Sequence, residues 1–326
     1  MTIVKIDGRT LDVSSFMDRH PGGKLILKGS DGHDISALLH QVPHKHSEHA
    51  LKLLNSRQFR EVSISDEALA ARRISSDFNT ISPSTYNRWW VLPNYSVSNQ
   101  NVRLLPRYLS FLEPLTYSPI WLLPLFYIPF IGFLFTFGLL KGATFPFLTF
   151  ILAFLTWSLF EYITHRFIFH LVSDIRIFQV LQWSLHGNHH KFPHSKLRLT
   201  FPIVPALILF IIPIYLILSL FMSRPTVCMF LSGFLLHYLI YDVTHYCIHI
   251  VPESFWKARK WWYHLSLFQL IKRLRRVHMN HHYHDFTKNF AIDPFTFYAA
   301  DVIAHWWKVF GGKKQKKQGV VKRKVQ

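Results

Sequence analysis

The chain has 326 residues; half of them are hydrophobic, 16% are aromatic and only 17% are charged. This balance is typical of a membrane protein and excludes an ordinary soluble domain. A net charge of +19 could favour binding of nucleic acid. The basic residues, however, are spread over loops beside apolar segments, and the sequence contains no nucleic-acid-recognition motif. We therefore expect this charge to face anionic lipid headgroups, and we expect no nucleic-acid partner.

Cysteine usage and the first residues give two further expectations. The two cysteines, Cys228 and Cys247, lie in or beside apolar stretches, so the sequence predicts neither a disulfide framework nor thiolate ligation of a metal. The N-terminus becomes polar within a few residues, which predicts no cleavable signal peptide. Insertion into a membrane is therefore expected to depend on internal apolar segments.

Residues 1–60 predict a small α+β module with one tight turn that carries chemistry. The stretch VKIDGRTLDVSSF alternates as a strand and turn would, and short helical patterns follow it. The turn His20-Pro21-Gly22-Gly23 aims one imidazole into a pocket, and His44 or His46 could complete axial ligation of a haem iron from the opposite wall. Apolar walls would come from Leu25, Ile26, Leu27, Leu38, Leu39, Leu51 and Leu54.

This pattern resembles the cytochrome b5 family, whose signature is the HPGG turn followed by a later axial histidine. One branch of that family has a His-x-His-Ser element like residues 44–47 and uses its second histidine. The resemblance therefore implies that His20 and His46 bind haem b, with His44 as the alternative. The strand and helix that usually precede the position of Val4 are nearly absent, which leaves haem retention open. Bis-histidine ligation leaves no open position on the iron, so such a module would carry electrons.

Residues 61–116 predict a linker rich in serine, asparagine, arginine and proline. A short helix is expected within SDEALAARRISSDF, and SPSTYNRWWVLPNYSVSNQ is expected to be irregular. Trp89 and Trp90 could pack on the domain that follows or lie at the membrane interface, where tryptophan is favoured. The sequence leaves both interpretations open.

The domain predicted for residues 117–310 opens with apolar segments that fit two helical hairpins across a membrane. The expected spans are 117–140, 145–160, 201–221 and 226–240. Because both hairpin turns are short and lie on one side, everything else is expected on the other side. That side carries most of the basic residues and is cytosolic by the positive-inside rule.

The basic tail, residues 311–326, is predicted to be disordered and cytosolic. Its Lys322 and Lys324 fit a Lys-x-Lys-x-x pattern that resembles an endoplasmic-reticulum retrieval signal. With the N-terminal module and the tail on the cytosolic side, the sequence predicts a multi-pass protein of the endoplasmic-reticulum membrane.

Ten histidines follow the two hairpins at intervals that metal ligands use. The spacings are His-x4-His, His-x2-His-His, His-x3-His and His-x2-His-His, and residues three or four apart share one face of a helix, so each triplet can converge. Residues five apart do not share a face, so His165 and His170 are expected to bind from a helix end. An all-nitrogen set favours iron, zinc, copper or nickel, and ten imidazoles could hold two ions. Outer partners for their second ring nitrogens are expected among Glu161, Asn188, Asp242, Asn280 and Asp285.

The arrangement resembles the membrane fatty acid hydroxylase superfamily, specifically the fatty acid 2-hydroxylases of sphingolipid synthesis. The stretches that carry the resemblance are WSLFEYITHRFIFH (157–170), HGNHHKFP (186–193), YDVTHYCIH (241–249) and HMNHHYH (278–284). It implies no ligand role for His194, His237, His284 or His305. The metal ligands that it implies are His165, His170, His186, His189, His190, His245, His249, His278, His281 and His282.

Two stretches depart from the family pattern. An insertion at 253–276 lengthens the interval before the last cluster and contains His264, to which ligation could shift. Its tryptophans and basic residues suit a helix in the headgroup region, or equally a helix packed on the protein surface. The stretch 289–307 also differs from relatives, which could alter the substrate entrance.

The resemblance implies an all-α integral membrane catalytic domain of about four transmembrane helices and a cytosolic helical cap. It would be an O2-dependent monooxygenase that hydroxylates carbon 2 of a long-chain fatty acid or of the N-acyl chain of ceramide. Oxidising an unactivated C–H bond requires a redox-active pair of metals, for which iron is expected, whereas zinc has no redox chemistry and would be structural or a replacement ion. Electrons would pass from an NAD(P)H-dependent cytochrome b5 reductase through the haem, and fusing the two domains raises their effective concentration.

Three other interpretations remain. A desaturase or a sterol oxidase would use the same ligands on another substrate. A non-catalytic, haem-carrying membrane protein would keep the histidines as remnants. A metal transporter is the third, although transporter ligands usually lie near the bilayer midplane and these clusters follow the ends of spans.

Overall fold

The computed structural model describes most of the chain. His44, His264, His305 and the basic tail lie outside the described residues. The described residues are 1–40, 46–55, 59–73, 75, 77–94, 104–105, 107–252, 255–256 and 265–292.

A three-stranded antiparallel sheet organises the N-terminal module. Its strands lie in the order β1 (Ile3–Ile6), β2 (Arg9–Asp12), β3 (Arg60–Glu61). Asp7 and Gly8 form the β1–β2 turn, both with positive φ, as a two-residue hairpin of matching twist requires. The core behind the sheet consists of apolar side chains, namely Val4, Ile6, Leu11, Val13, Ile35, Leu39 and Phe59.

The regular elements in the rest of the described chain are helices. Two belong to the N-terminal module, α1 (Lys24–Gly29) and α2 (Glu48–Asn55). The others are α3 (Asp66–Ala70), α4 (Pro83–Trp89), α5 (Leu122–Leu140), α6 (Pro146–Ile163), α7 (Arg176–Gln182), α8 (Asn188–Lys191), α9 (Ile203–Ala206), α10 (Ile212–Leu218), α11 (Arg224–Ile250) and α12 (Ser266–Tyr283). Short 3-10 segments are Ser14–Arg19, Ala37–Leu39, Phe78–Thr80 and Arg107–Thr116, and π-helical segments are Thr164–Phe169, Trp183–Gly187 and Leu207–Ile211.

The linker is more ordered than the sequence predicts. The short helix expected near its start is α3, which the ion pair between Arg72 and Asp31 ties to the N-terminal module at 3.0 Å. The stretch expected to be irregular contains α4, which begins with Pro83 at the first helical position, where proline is favoured. Trp89 and Trp90 are both buried, and Trp89 packs at 5.0 Å on the Trp183 ring. The pair therefore packs on the domain that follows.

Among the described residues, three helices are long and apolar enough to cross a membrane, namely α5, α6 with its π-helical extension to Phe169, and α11. The third predicted span forms instead a shorter apolar run, Ile203–Leu218, below the roughly 20 residues that a full span needs. A π-helical segment interrupts this run, and the prolines at 205 and 213 each lack a backbone N–H donor.

Helix α11 lies at the centre of the membrane part. In its apolar window 72% of the residues are buried, against 28% in α5 and 33% in α6. Small residues allow this packing, because a methyl group at Gly233 would overlap the carbonyl oxygen of Phe150 on α6. The outer faces of α5 and α6 expose apolar side chains, as expected for surfaces that face lipid.

The ends of α6, α11 and α12 meet on one side of the bundle. Helices α5 and α6 form the first hairpin through Lys141 and Gly142, and α12 packs against α11. The last turns of α11 and α12 and the π-helical end of α6 all carry predicted ligand histidines.

Candidate metal centre

The structure brings the ten predicted ligand histidines together in two groups of five. Every one of them is buried, and within each group the candidate ligand nitrogens lie within 4.8 Å of one another. The first histidine group is His165, His170, His186, His190 and His281, and the second histidine group is His189, His245, His249, His278 and His282.

Neighbouring histidines in the sequence belong to different groups. His189 and His190 diverge, as do His281 and His282, because consecutive side chains on a helix point about 100° apart. The expectation that each triplet converges is therefore wrong, since only the members four apart stay together. The divergence places the groups side by side, with the His190 and His282 rings stacked at 4.0 Å.

A π-helical turn explains how His165 and His170 enter the same group. The amide of His170 donates to the carbonyl of His165 at 3.1 Å, which closes one turn between the two residues. In this wider turn residues five apart lie on the same face, and their ring centres are 5.0 Å apart. The pair lies at the end of the helix, as expected, because Thr164–Phe169 is the π-helical end of α6 and His170 caps it.

The second histidine group has more short contacts between ring nitrogens than hydrogen bonds can account for. The Nε2 atom of His278 lies 3.1 Å from that of His245, 2.9 Å from that of His249 and 3.0 Å from that of His282. A ring nitrogen carries either one proton or one lone pair, so these contacts are not all hydrogen bonds. Several lone pairs aimed at one point indicate a site that could hold a cation.

The first histidine group has the same geometry. Its Nε2 atoms pair at 3.0 Å between His165 and His186 and at 3.0 Å between His170 and His281. The buried Nε2 of His190 has no hydrogen-bond partner in the described part of the chain. Nitrogens bound at about 2.0–2.1 Å to one ion, at right angles to each other, are about 3 Å apart. Both groups therefore fit a divalent ion.

Backbone carbonyls orient two of these rings from outside. Nδ1 of His165 lies 2.5 Å from the carbonyl oxygen of Phe290, and Nδ1 of His281 lies 2.6 Å from that of Lys288. Donation from Nδ1 leaves the Nε2 lone pair free for a metal. Both carbonyls belong to the segment after α12, whose contribution the sequence did not indicate.

Of the five side chains expected to orient the histidines, Glu161 lies beside a histidine ring, whereas the contacts shown for the other residues lie elsewhere. Asp242 accepts from the Phe201 amide at 3.0 Å and from the Tyr238 hydroxyl at 3.1 Å. Asn188 donates to the Trp183 carbonyl at 2.8 Å. Glu161 lies 3.5 Å from Nδ1 of His165. The Asp285 carboxylate accepts from the Thr287 amide, and the backbone oxygen of Asn280 accepts from the His284 amide.

The histidines with no implied ligand role lie outside both groups where the structure describes them. The Nδ1 of His237 donates to the Phe154 carbonyl at 2.6 Å, which joins α11 to α6. The His194 ring lies 6.3 Å from that of His249 without joining its group. His284 follows the last turn of α12.

Burial keeps the imidazoles neutral. Burial, reinforced by repulsion from neighbouring imidazoles, lowers the pKa of His278 and His282 well below its usual value. For His281 burial lowers the pKa to about 3, although its hydrogen bond to the Lys288 carbonyl opposes the shift. Burial depresses the pKa of the remaining members outside the spans in the same way, namely His170, His186, His189 and His190. Neutral imidazoles offer the lone pairs that a metal needs.

The second predicted site lies in the N-terminal module. The rings of His20 and His46 are nearly parallel, at 25°, with their centres 6.3 Å apart. Two metal–nitrogen bonds of about 2 Å, one on each side of an iron, set ring centres about 6 Å apart. Nδ1 of His20 donates to the Gly23 carbonyl at 3.0 Å, which leaves Nε2 free, and burial lowers the pKa of His20. The pair fits the axial ligands of a haem.

A mostly apolar cavity connects the metal centre to the membrane helices. The space between its walls is about 950 Å³, which includes the part that is open to the surroundings. Its wall includes His186 from the first histidine group and His189 and His245 from the second. The other end of the wall consists of aromatic and aliphatic side chains of the helices, among them Tyr127, Trp157, Phe160, Phe210, Ile211 and Phe234.

Membrane-spanning helices that end in two adjoining all-imidazole groups define a histidine-rich membrane metalloprotein class. Comparison with known proteins identifies the family. The family model described as fatty acid hydroxylase matches residues 150–305, and the one described as cytochrome b5-like heme/steroid binding domain matches residues 2–63. Dihydroceramide fatty acyl 2-hydroxylase FAH2 of Arabidopsis thaliana is 33% identical over 211 residues, which cover 63% of this chain and 79% of that protein.

Two further similarities extend this finding. Fatty acid 2-hydroxylase of Macaca fascicularis is 29% identical over 301 residues, covering 76% of this chain and 79% of that protein. The solved structure of full-length scs7p, in which only the hydroxylase domain is visible, shares the fold with a TM-score of 0.53 at 24% identity, covering 71% of this chain and 78% of that one. The chain belongs to the fatty acid hydroxylase family and carries a cytochrome b5-like domain. The resemblance and the fold class predicted from the sequence are confirmed, and the protein is an oxidoreductase of the hydroxylase type.

Proposed function

We propose that this protein hydroxylates carbon 2 of a long acyl chain, either as a free fatty acid or as the N-acyl part of ceramide. The observation that carries the proposal is the junction of the apolar cavity with both histidine groups. A lipid chain that enters from the membrane helices would meet the metal centre with one end. Relatives named for 2-hydroxylation of fatty acids and dihydroceramide support the choice of reaction.

The ten histidines would hold two metal ions, five imidazoles to each. We propose iron for the active protein, because a redox-active pair supplies the electron transfers with O2 that hydroxylation of a C–H bond requires, and zinc supplies none. The imidazoles stay neutral and fixed, with Lys288 and Phe290 carbonyls holding two of the rings. Their burial under the loop after α12 keeps bulk water from the reacting carbon.

The cavity wall explains how a lipid could be held. Aromatic side chains of α5, α6 and α11 line its membrane part, and an acyl chain gains about 0.8 kcal/mol for each CH2 that it buries there. Polar side chains near the histidines, Ser184, Asn188 and Thr200, also line the cavity. The Thr200 hydroxyl already donates to the Ser118 carbonyl and the Asn188 amide to the Trp183 carbonyl. The Ser184 hydroxyl would therefore donate to the carboxyl or amide oxygen, which would place the neighbouring carbon 2 beside the metal centre.

The N-terminal module would supply electrons. His20 and His46 would hold haem b, and an NAD(P)H-dependent cytochrome b5 reductase would reduce it. The domain division proposed is a haem domain at 1–60, a linker at 61–116, a hydroxylase domain at 117–310 and a tail at 311–326. Three candidate spans support a multi-pass protein, and the basic loops and tail support an endoplasmic-reticulum location with the centre and both termini in the cytosol.

Lipid mass spectrometry tests this function in cells that lack their own 2-hydroxylase. Wild type should produce lipids hydroxylated at carbon 2, and His278→Ala should lower them about a hundred-fold or more, because it removes the imidazole that contacts three others. His237→Ala is the matched control, since it removes an equally buried imidazole outside both groups. Equal product from His278→Ala, or a desaturated or sterol product from wild type, would contradict the proposal.

A further inference from the structure

The N-terminal module rests on the metal centre through its tight turn. Helix α1 lies against α12, and Gly23, with φ of 96°, lies over the backbone of Tyr283. A methyl group at Gly23 would overlap the Tyr283 carbonyl oxygen and lie 2.6 Å from the Tyr283 Cβ. Only glycine permits this backbone approach. Tyr283 directly follows His282, so the contact lies one residue from the second histidine group.

The same turn leads back to the haem-binding pair. The His20 ring is hydrogen-bonded through Nδ1 to the Gly23 carbonyl at 3.0 Å. A methyl group at Gly22 would lie 2.8 Å from the His20 ring, so the ring packs directly on the turn. One hydrogen bond, one van der Waals contact and one peptide bond therefore join the His20 ring to His282.

A second contact reaches the first histidine group. Leu25 of α1 packs on the aromatic cluster around Trp90, whose ring stands edge-on to His170 at 5.3 Å and to His190 at 5.2 Å. At the end of α1, a methyl group at Gly29 would overlap the carbonyl oxygen of Pro93 in the same part of the linker. The linker after α4 thus provides the second part of the surface that the N-terminal module contacts.

We propose that Gly23, Leu25 and Gly29 form an internal docking surface that couples the haem-binding pair electronically to both histidine groups. The inference rests on the proposed function, which makes the module the electron donor. Each transfer oxidises one ferrous haem to ferric and reduces one metal ion of the centre by one electron. Two transfers accompany each O2, with two protons, to give one hydroxyl group and one water. Direct contact shortens the distance that an electron crosses and excludes water from the junction.

Three glycine substitutions test the docking surface. Gly29→Ala adds the clash with Pro93 at a helical position with ordinary φ, where alanine is otherwise favoured, so the module keeps its fold. Gly23→Ala adds the clash with Tyr283. Gly8→Ala is the matched control for Gly23→Ala, since Gly8 has φ of 79° and no neighbour within 4 Å of an added methyl group.

The measurement uses the full protein loaded with haem and iron. A flash-generated reductant reduces the haem, and its absorbance then reports how fast it is re-oxidised; hydrogen exchange of residues 278–284 reports docking independently. Gly29→Ala and Gly23→Ala should slow re-oxidation about ten-fold or more and increase exchange, because undocking leaves only the effective concentration of a tethered pair, on the order of mM. Gly8→Ala should match wild type in both.

Wild-type re-oxidation and exchange in Gly29→Ala and Gly23→Ala would overturn the docking surface, even if 2-hydroxylated lipid is formed. A slowed rate with an unchanged haem spectrum in Gly29→Ala supports it, even if the lipid product proves to be different. Failure of the docking surface and failure of the proposed function are therefore separate results.

Discussion

The two predicted metal-binding sites of this chain are built in different ways. The haem site depends on two half-buried imidazoles, His20 and His46, from separate loops of a small module. The metal centre takes ten imidazoles from the ends of packed helices, none of them more than 9% exposed. A site of two ligands should fail when one is lost, whereas a group of five should weaken in steps.

The largest expected effect is loss of haem from the two-ligand site. His46→Ala should abolish the haem absorbance, while the metal content remains that of wild type. His281→Ala should instead weaken binding at the first histidine group about ten- to hundred-fold and leave the haem spectrum unchanged. Absorbance spectra and elemental analysis of the purified variants check both statements.

His40→Ala is the control for this comparison, because it removes an exposed imidazole of the same module. Haem lost in His44→Ala but retained in His46→Ala would assign the second axial position to His44. Simultaneous loss of haem and metal in His46→Ala would contradict the separation of the two sites.

A smaller effect is expected from acidification. Burial lowers the pKa of the histidines in the closed centre, to about 3 for His281. When the centre opens to water, their pKa returns to the ordinary histidine value of about 6.5. Between those values the opened state binds more protons, so the stability of the closed centre is lost as the pH falls below about 6.5. Each such histidine therefore destabilises the closed centre further as the pH falls through that window.

Protons compete with each metal ion for five imidazoles and with the haem iron for two, so the metals should leave first. Dialysis from pH 7.5 to 5, followed by elemental analysis and haem absorbance, checks this order. Full metal content at pH 5 in protein that has lost its haem would show that the centre is not opened by protonation.

The smallest effect concerns the helices that hold the metal centre. Gly233→Ala should destabilise the bundle by about 1–3 kcal/mol, because the added methyl group overlaps the Phe150 carbonyl. Gly132→Ala on α5 meets no neighbour within 4 Å and should be neutral or stabilise by about 1 kcal/mol. Thermal unfolding in detergent ranks the stabilities of the two variants and the wild type. Equal unfolding midpoints for Gly233→Ala and Gly132→Ala would contradict the close contact of α6 and α11.

The positions of the ligand histidines were predictable from the sequence because helical spacing decides which side chains can meet. The pairs four apart, such as His186 with His190 and His245 with His249, share a group as that spacing requires. The π-helical turn that joins His165 to His170 was not predictable, since it depends on packing at the end of α6. Nor was the divergence within each triplet predicted, although the helical angle between consecutive residues explains it.

Features that depend on backbone atoms could not be predicted from the sequence. The Lys288 and Phe290 carbonyls orient two rings, and any residue type offers a carbonyl, so no pattern marks them. The position of Trp90 between α1 and the centre likewise follows from tertiary contacts. The role proposed for His20 was predictable from the turn residues, because proline and glycine restrict the local backbone, whereas the choice of His46 over His44 depended on the resemblance to the cytochrome b5 family.

X-ray absorption and elemental analysis of the purified protein test the central claim most directly, that ten histidines hold two ions in adjoining groups. We predict two metal ions per chain, each with a nitrogen-only shell of imidazoles at about 2.0–2.2 Å. A single ion per chain, or a shell containing sulfur or dominated by carboxylate oxygen, would contradict this account.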